Sequence, residues 1–154
     1  MKNRLSVEIE APCEGVFAWL NDAQRVMQWV PNVTENADLQ VTEDGVGSTF
    51  RQVYLERGRR MEMHGLVTGY EVNRRLTLEI RGDAFDLFLD YRLEDLGGRT
   101  RLTQDSVVRF KGLLKIIGPI MAPFVRKLAT KQLEESLAKL KALAESDEQE
   151  ADDA

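Results

Sequence analysis

Residues 111–145 read KGLLKIIGPIMAPFVRKLATKQLEESLAKLKALAE, and this stretch decides the fold. Its apolar residues recur at helical spacing, which predicts one long helix with an apolar face. A single helix cannot bury such a face alone, so we expect a sheet packed against it, with room for a cavity between them. The predicted face starts at Leu113, Ile117, Ile120, Phe124 and Leu128 and continues through Leu133, Leu137, Leu140 and Ala144.

The segments before this helix predict the sheet. A first strand at 5–10 is followed by two short helices at 14–20 and 23–28. Short turns rich in Gly, Asn and Asp separate the later strands, and such turns require antiparallel pairing. Strands and helices in separate runs indicate the α+β class. The six further strands are predicted at 32–42, 48–56, 61–72, 76–80, 85–94 and 100–110.

Composition and charge indicate one domain with an acidic tail. The 154 residues are 43% hydrophobic and 31% charged, as in an ordinary globular protein. We expect a domain at 1–145 and a disordered, solubilising tail at 146–154. Six acids and no base lie from Glu145 onward, so the tail accounts for the net charge of −5. The remaining body is close to neutral and has no strongly basic patch, which excludes nucleic acid as a partner.

The chain is expected to be cytoplasmic. It has no apolar run near the roughly 20 residues that a membrane span needs, and its first residues lack the apolar core of a secretory signal. The single cysteine, Cys13, cannot form an internal disulfide. We therefore expect no stable membrane insertion, although transient contact with a membrane surface stays open, and a monomer or a homodimer.

A set of ordered landmarks resembles the START-like helix-grip superfamily (SRPBCC), and most closely its polyketide cyclase/dehydrase and lipid-transport group. The resemblance covers about residues 3 to 145. It implies a curved antiparallel sheet of about seven strands, in the order β-α-α-β6-α, around the long C-terminal helix, with an internal cavity. The landmarks are Ile9–Pro12 with Val16-Phe17, Trp29–Pro31, Gly45–Gly47, Thr68–Val72 with Arg75-Leu76, Gly98–Leu102, and Gly118-Pro119.

The fold implied by this resemblance predicts a cavity between sheet and helix that binds a small hydrophobic ligand, such as a lipid, a polyketide-like or an aromatic compound. Methionine and aromatic side chains suit a ligand wall, and they suit a filled core equally well. The residues predicted to line the cavity are Trp29, Phe50, Met61, Met63, Phe85, Leu87, Leu89, Tyr91, Gln104, Ser106, Ile117, Met121 and Phe124.

Two polar residues of this set are the most informative. Gln104 and Ser106 alternate with Leu102, Val108 and Phe110 and so share their face of a strand. If that face is interior, both side chains need partners, and convergent polar groups in an apolar pocket orient a small ligand. The alternatives are that they bond to each other, to a neighbouring strand or to buried water.

Other reactive residues are assigned structural roles. His64 is expected on the solvent side of its strand, because Met61 and Met63 occupy the other side. Cys13 is interpreted as a small residue packed at a helix start. One histidine and one cysteine do not make a His/Cys metal site, and no cofactor is expected. The solvated outer face of the sheet is predicted to carry the acidic residues Glu62, Glu79, Asp86, Asp90 and Asp105, paired with Arg81, Arg92, Arg101 and Arg109.

Residues 111–124 form an unusually apolar start to the helix, interrupted by Gly118-Pro119 and Pro123. Either this start packs over the open end of the sheet, or it forms a mobile lid over the cavity that also touches a membrane surface.

Three functions remain open at this point. The leading hypothesis is a protein that carries, sequesters or senses a hydrophobic ligand. The second is a cyclase/dehydratase-like enzyme that works by positioning its substrate. The lack of a pair of inward titratable groups argues against this hypothesis, and no catalytic residue is assigned. The third is a protein–protein interaction module of the same fold. A filled core and an exposed apolar patch would support this hypothesis.

Overall fold

The computed structural model describes residues 1–153, which form seven strands and three helices. In chain order these are β1 Lys2–Ile9, α1 Cys13–Asn21, α2 Ala23–Trp29, β2 Val33–Gln40, β3 Thr49–Glu56, β4 Arg59–Glu71, β5 Arg75–Arg81, β6 Phe85–Asp95, β7 Thr100–Phe110 and α3 Leu114–Asp153.

The strands form one antiparallel sheet in the order β1-β7-β6-β5-β4-β3-β2. Each strand from β2 to β7 pairs with its neighbour in sequence, as hairpin connections require. The first strand returns to pair with β7, so β1 and β2 are the edges of the sheet. This confirms the predicted α+β architecture, in which a curved antiparallel sheet accompanies a long C-terminal helix.

The main core lies where α1, α2 and the second half of α3 pack against the sheet. Ile9, Val16, Leu102 and Leu140 are fully buried there. Helix α2 starts at a capping residue, since the Asp22 carboxylate accepts hydrogen bonds from two backbone N–H groups of its first turn. These contacts hold the two short helices across one end of the sheet.

The long helix buries only part of the face predicted for it. Ser136, Leu137, Leu140 and Ala144 are buried. In the first half of α3 the large apolar side chains point to solvent and form a surface that we call the outer face of α3. It consists of Leu113, just before the helix, and of Ile116, Ile117, Ile120, Met121, Phe124 and Leu128.

Small residues take the sheet side of the same half. Gly118, Ala122 and Ala129 are half-buried. A Cβ added to Gly118 would lie 3.1 Å from the ring of Phe110, so the helix passes close to the end of β7 there. The prediction of one continuous buried stripe from Leu113 to Ala144 is therefore wrong for residues 113–128.

The helix also continues beyond the predicted domain end. Residues 146–153, expected to be a disordered tail, are helical here. A contact with the core accompanies this extension, because Trp19 Nε1 donates a hydrogen bond to the Asp147 carboxylate at 2.9 Å. Arg25 also lies 3.8 Å from the same carboxylate. Ala154 lies outside the described residues.

Candidate functional site: a cavity between sheet and helices

A cavity of about 550 Å³ lies between the concave face of the sheet and the helices. Its walls come from all seven strands, from α1 and α2 at one end, and from α3 between Ala129 and Ser136. Exposed residues of the β2–β3 connection, Val41 and Glu43, border it, so the cavity opens toward that connection. The volume falls in the usual range for small-molecule sites.

Seven of the predicted lining residues do line this cavity: Trp29, Phe50, Leu87, Leu89, Tyr91, Gln104 and Ser106. Those on β6 and β7 alternate along their strands, as the period-two pattern predicts. The direct pairing of Leu89 with Ser106 and of Tyr91 with Gln104 brings them together on the concave face.

Three other predicted residues lie on the sheet beyond the cavity. Met63 is 2% exposed and packs with Phe50 and Ile80 in a second, filled cluster. Phe85 packs against the same cluster, and Met61 is half-buried near the start of β4. Their prediction as lining residues is corrected: Met63 and Phe85 pack in this cluster, and Met61 is not among the residues that line the cavity.

The remaining three predicted residues belong to the outer face of α3. Ile117, Met121 and Phe124 are 41%, 45% and 68% exposed and point away from the sheet. Their assignment to the cavity wall is also corrected. The reason is the rotation of the helix, which turns its small residues toward the sheet in this half.

Gln104 presents an unpaired polar atom inside the protein. The side chain is 6% exposed, and its Oε1 has no hydrogen-bond partner among residues 1–153. An unpaired buried amide oxygen costs free energy, and such atoms are rare in native proteins. Since Gln104 lines the cavity, its free oxygen is available to a molecule bound there.

A second polar group was missed from the sequence. Asn36 on β2 lies opposite Gln52 on β3, and both are buried and line the cavity. The Asn36 amide donates to the Ala23 carbonyl at 2.9 Å, while its Oδ1 has no partner among the described residues. Tyr54 donates its hydroxyl hydrogen to Gln52 Oε1 at 2.9 Å.

The sequence carries a signal for part of this group. Gln52 and Tyr54 follow Phe50 at the period of a strand, so alternation from Phe50 would have found them. Asn36 is different, because a register shift between Val33 and Glu35 reverses which residues of β2 face inward.

Two of the tyrosines that line the cavity, Tyr54 and Tyr91, are held in their neutral form. Burial raises the pKa of Tyr54 to about 12. Burial also raises the pKa of Tyr91, with a smaller contribution from nearby Tyr54. Each of these two hydroxyls therefore remains protonated, and able to donate a hydrogen bond, near neutral pH.

Trp29 closes the α2 end of the cavity. It is 3% exposed, and its Nε1 donates to the Trp19 carbonyl at 3.0 Å. Its ring meets Tyr91 edge to face, with centroids 6.3 Å apart. The aromatic pair therefore fixes the wall beside the Tyr91 hydroxyl.

Two glycines allow aromatic rings to lie close against the backbone, one in the sheet and one in the β2–β3 connection that borders the cavity. A Cβ on Gly65 of β4 would lie 2.1 Å from Cζ of Phe50, so the Phe50 ring covers that glycine. Gly45 has φ of +88°, and its Cβ would meet the Tyr70 ring at 2.4 Å. Larger residues at either position would displace a cavity wall.

The reactive residues assigned to structural roles lie outside the cavity. His64 is exposed on the outer face of the sheet, which confirms the predicted orientation. Cys13 is half-buried at the start of α1, where its sulfur lies 3.4 Å from Thr100 Oγ1. Among residues 1–153, no group of three or more His, Cys, Asp or Glu side chains is arranged to hold a metal ion.

One carboxylate departs from the predicted solvated outer face. Asp86 is 2% exposed and lies 2.7 Å from Lys111 Nζ and 3.1 Å from an Arg81 nitrogen. Burial opposes its ionisation, but the Lys111 and Arg81 charges outweigh this and lower its pKa. The prediction of full exposure is wrong here, because the segment leading into α3 covers this residue.

Comparison with known proteins fits this architecture. A model of the family described as "Polyketide cyclase / dehydrase and lipid transport" matches residues 2–145. The chain belongs to this family.

Solved structures similar to this polyketide cyclase/dehydrase and lipid-transport family member share its fold. A START superfamily protein from Mycobacterium smegmatis has 24% identity and a TM-score of 0.78, covering 94% of this chain and 97% of that one. A protein from Thermus thermophilus has 18% identity and a TM-score of 0.77 over 94% and 97% of the two chains. The ZhuI aromatase/cyclase from Streptomyces sp. R1128 has 17% identity and a TM-score of 0.74 over 94% and 93%.

These likenesses show that the family member shares the fold of a START superfamily protein, which is the fold that its sequence landmarks indicated. No match was found among curated proteins. Over residues 1–153, the helices of this family member include none that is long and apolar enough to cross a membrane.

Proposed function

We propose that this protein binds a small, largely apolar and uncharged molecule in the cavity between sheet and helices, and so carries, sequesters or senses it. The observation that carries the proposal is the pair of unsatisfied amide oxygens, Gln104 Oε1 and Asn36 Oδ1, on the walls of a cavity of about 550 Å³. A bound hydroxyl or amine that donates to either oxygen would remove the cost of leaving it unpaired.

The character of the walls supports an uncharged ligand. Leu76, Leu78, Leu87 and Leu89 supply apolar surface from β5 and β6. The charged side chains that border the cavity, Asp38 and Glu43, are exposed. A buried charge on the ligand would therefore lack a buried countercharge, which is costly.

The polar groups suit orientation of a ligand. Carboxamides both accept and donate hydrogen bonds, and the neutral Tyr91 hydroxyl adds a donor. Gln104 with Tyr91 lies on β7 and β6, and Asn36 with Gln52 lies on β2 and β3, so we expect a ligand with polar atoms at more than one edge. An aromatic or polyketide-like skeleton with hydroxyl groups has this character.

Fluorescence titration with 1-hydroxypyrene and pyrene tests the proposal, because the two probes differ by one hydroxyl group. We expect 1-hydroxypyrene to bind more tightly than pyrene. Gln104→Leu should reduce that preference roughly fivefold or more, by the value of one buried hydrogen bond. The exposed Gln28→Leu variant is the control and should keep it. Failure of both probes to bind, with no small molecule found by native mass spectrometry of the purified protein, would overturn the proposal.

A further inference from the structure

The large apolar side chains on the outer face of α3 contribute neither to the core nor to the cavity wall. Ile116, Ile120 and Phe124 are 71%, 78% and 68% exposed. Small residues already occupy the sheet side of the same helix half, so turning these large side chains outward serves no internal packing. Contiguous exposed apolar surface of this kind marks an interaction site.

The charges in the segment that carries this face all have one sign. Residues 106–133 contain no acidic side chain, although the whole chain has a net charge of −5. Lys115, Arg126, Lys127 and Lys131 are exposed, and none has an ion-pair partner among residues 1–153. By contrast, arginines on the outer face of the sheet, such as Arg51 and Arg75, are paired with carboxylates.

We propose that the outer face of α3 docks on an anionic lipid surface. An amphipathic helix of this kind lies in the plane of the interface, with its apolar side chains among the acyl chains and its cations at the headgroups. Lys127 and Lys131 lie within about 60° of the centre of the apolar face at 100° per residue. Their long side chains reach from there to the headgroups.

Charge favours lipid over a second copy of the chain. A symmetric dimer through this face would bring Lys127 and Lys131 of one protomer against the same two cations of its partner. An anionic surface instead neutralises both of them. The proposal concerns a surface on the opposite side of α3 from the cavity and does not depend on whether the cavity holds a ligand.

Vesicle flotation of the full chain tests this proposal. We expect binding to phosphatidylcholine vesicles that contain about one-third phosphatidylserine, and none to phosphatidylcholine alone. Raising the salt to roughly 0.5 M should release the protein, because screening weakens the attraction of the cations.

Two variants separate the apolar and charged contributions. The triple change Ile116→Ser, Ile120→Ser and Phe124→Ser should abolish binding. The quadruple change of Lys115, Arg126, Lys127 and Lys131 to Gln should weaken it by at least about tenfold. All these residues are exposed, so circular dichroism and the melting temperature should stay unchanged.

Matched controls use exposed residues elsewhere. The first control, Leu39→Ser with Leu55→Ser and Val72→Ser, removes three exposed apolar side chains, as the triple variant does. The second control changes Arg57, Arg59, Arg74 and Lys139 to Gln. Both controls should bind the vesicles as the wild type does. Absence of binding at low salt, equal binding to neutral vesicles, or equal loss in the controls would overturn the proposal. A wild-type dimer in light scattering that the triple variant makes monomeric, without vesicle binding, would assign the face to a second copy and also overturn it.

Discussion

Leu128 and Leu133 lie on different sides of α3, although both belong to the apolar pattern of one helix. Leu128 is 41% exposed, whereas Leu133 packs against the main core and lines the cavity. Five residues advance the helix by about 500°, which leaves a turn of about 140° around its axis. The apolar pattern therefore changes from the outer side to the sheet side at this step, and the two halves of α3 have different partners.

The change of side predicts unequal effects of truncation along α3. Leu137→Ala should destabilise the protein by about 2–5 kcal/mol, since Leu137 is 1% exposed and its removal leaves a cavity in the core. Ile120→Ala, at a residue 78% exposed, should change stability by no more than about 0.5 kcal/mol. Urea denaturation of both variants measures the difference, and equal losses would contradict the described orientation of the helix.

The contact between Phe50 and Gly65 predicts a size limit in β4. Gly65→Ala should destabilise the protein by about 1–3 kcal/mol, because the new Cβ would lie 2.1 Å from the Phe50 ring. Adding Phe50→Leu should restore part of the loss. Gly15→Ala is the control, since its Cβ meets nothing nearer than 3.9 Å and alanine favours the helix. Thermal denaturation of the three variants would refute this steric explanation if Phe50→Leu gave no rescue.

The unpaired Gln104 predicts a conflict between stability and binding. Without added ligand, Gln104→Leu should be as stable as the wild type or more stable by about 1 kcal/mol, because it removes a buried amide oxygen without a partner. The same variant is expected to lose its preference for hydroxylated probes. Calorimetric melting measures the first effect. A loss of stability above about 2 kcal/mol would mean that the amide makes a structural contribution that outweighs its unpaired oxygen.

The Asp86–Lys111 ion pair predicts a specific dependence of stability on pH. The pKa of Asp86 is lowered from its ordinary value of 3.8, so the folded state favours the ionised form. The contribution of ionised Asp86 to stability is present above pH 3.8 and is lost as the pH falls through the lower pKa of the folded state. Asp86→Asn should cost roughly 1–3 kcal/mol at neutral pH, a value limited by the partial exposure of both cationic partners.

Urea denaturation at a series of pH values checks this dependence. The difference between wild type and Asp86→Asn should shrink as pH falls below about 4, because both side chains are then uncharged. The exposed Asp83→Asn variant, in the turn between β5 and β6, is the control and should show no such difference. A difference that stays constant down to low pH would contradict the ionic origin of the effect.

Much of the candidate site followed from alternation along strands whose register is regular. Tyr91 and Gln104 face the cavity as predicted, because β6 and β7 pair without a register shift. Asn36 could not be predicted in the same way, since a bulge in β2 reverses the facing of the residues after it. Asp86 also escaped prediction, because its burial depends on Lys111, which is distant in sequence and joins it only through the fold.

The sequence by itself determined the order of the elements, the antiparallel sheet and the presence of a long C-terminal helix. These follow from local periodicity, turn residues and short connections, which act within a few residues of one another. Only the tertiary structure decided which side of α3 faces the sheet at each point, which aromatic and methionine side chains fill space, and which leave a cavity. Those outcomes depend on how far the helix stands from a curved sheet and where the sheet bulges, and both are set by packing between distant segments.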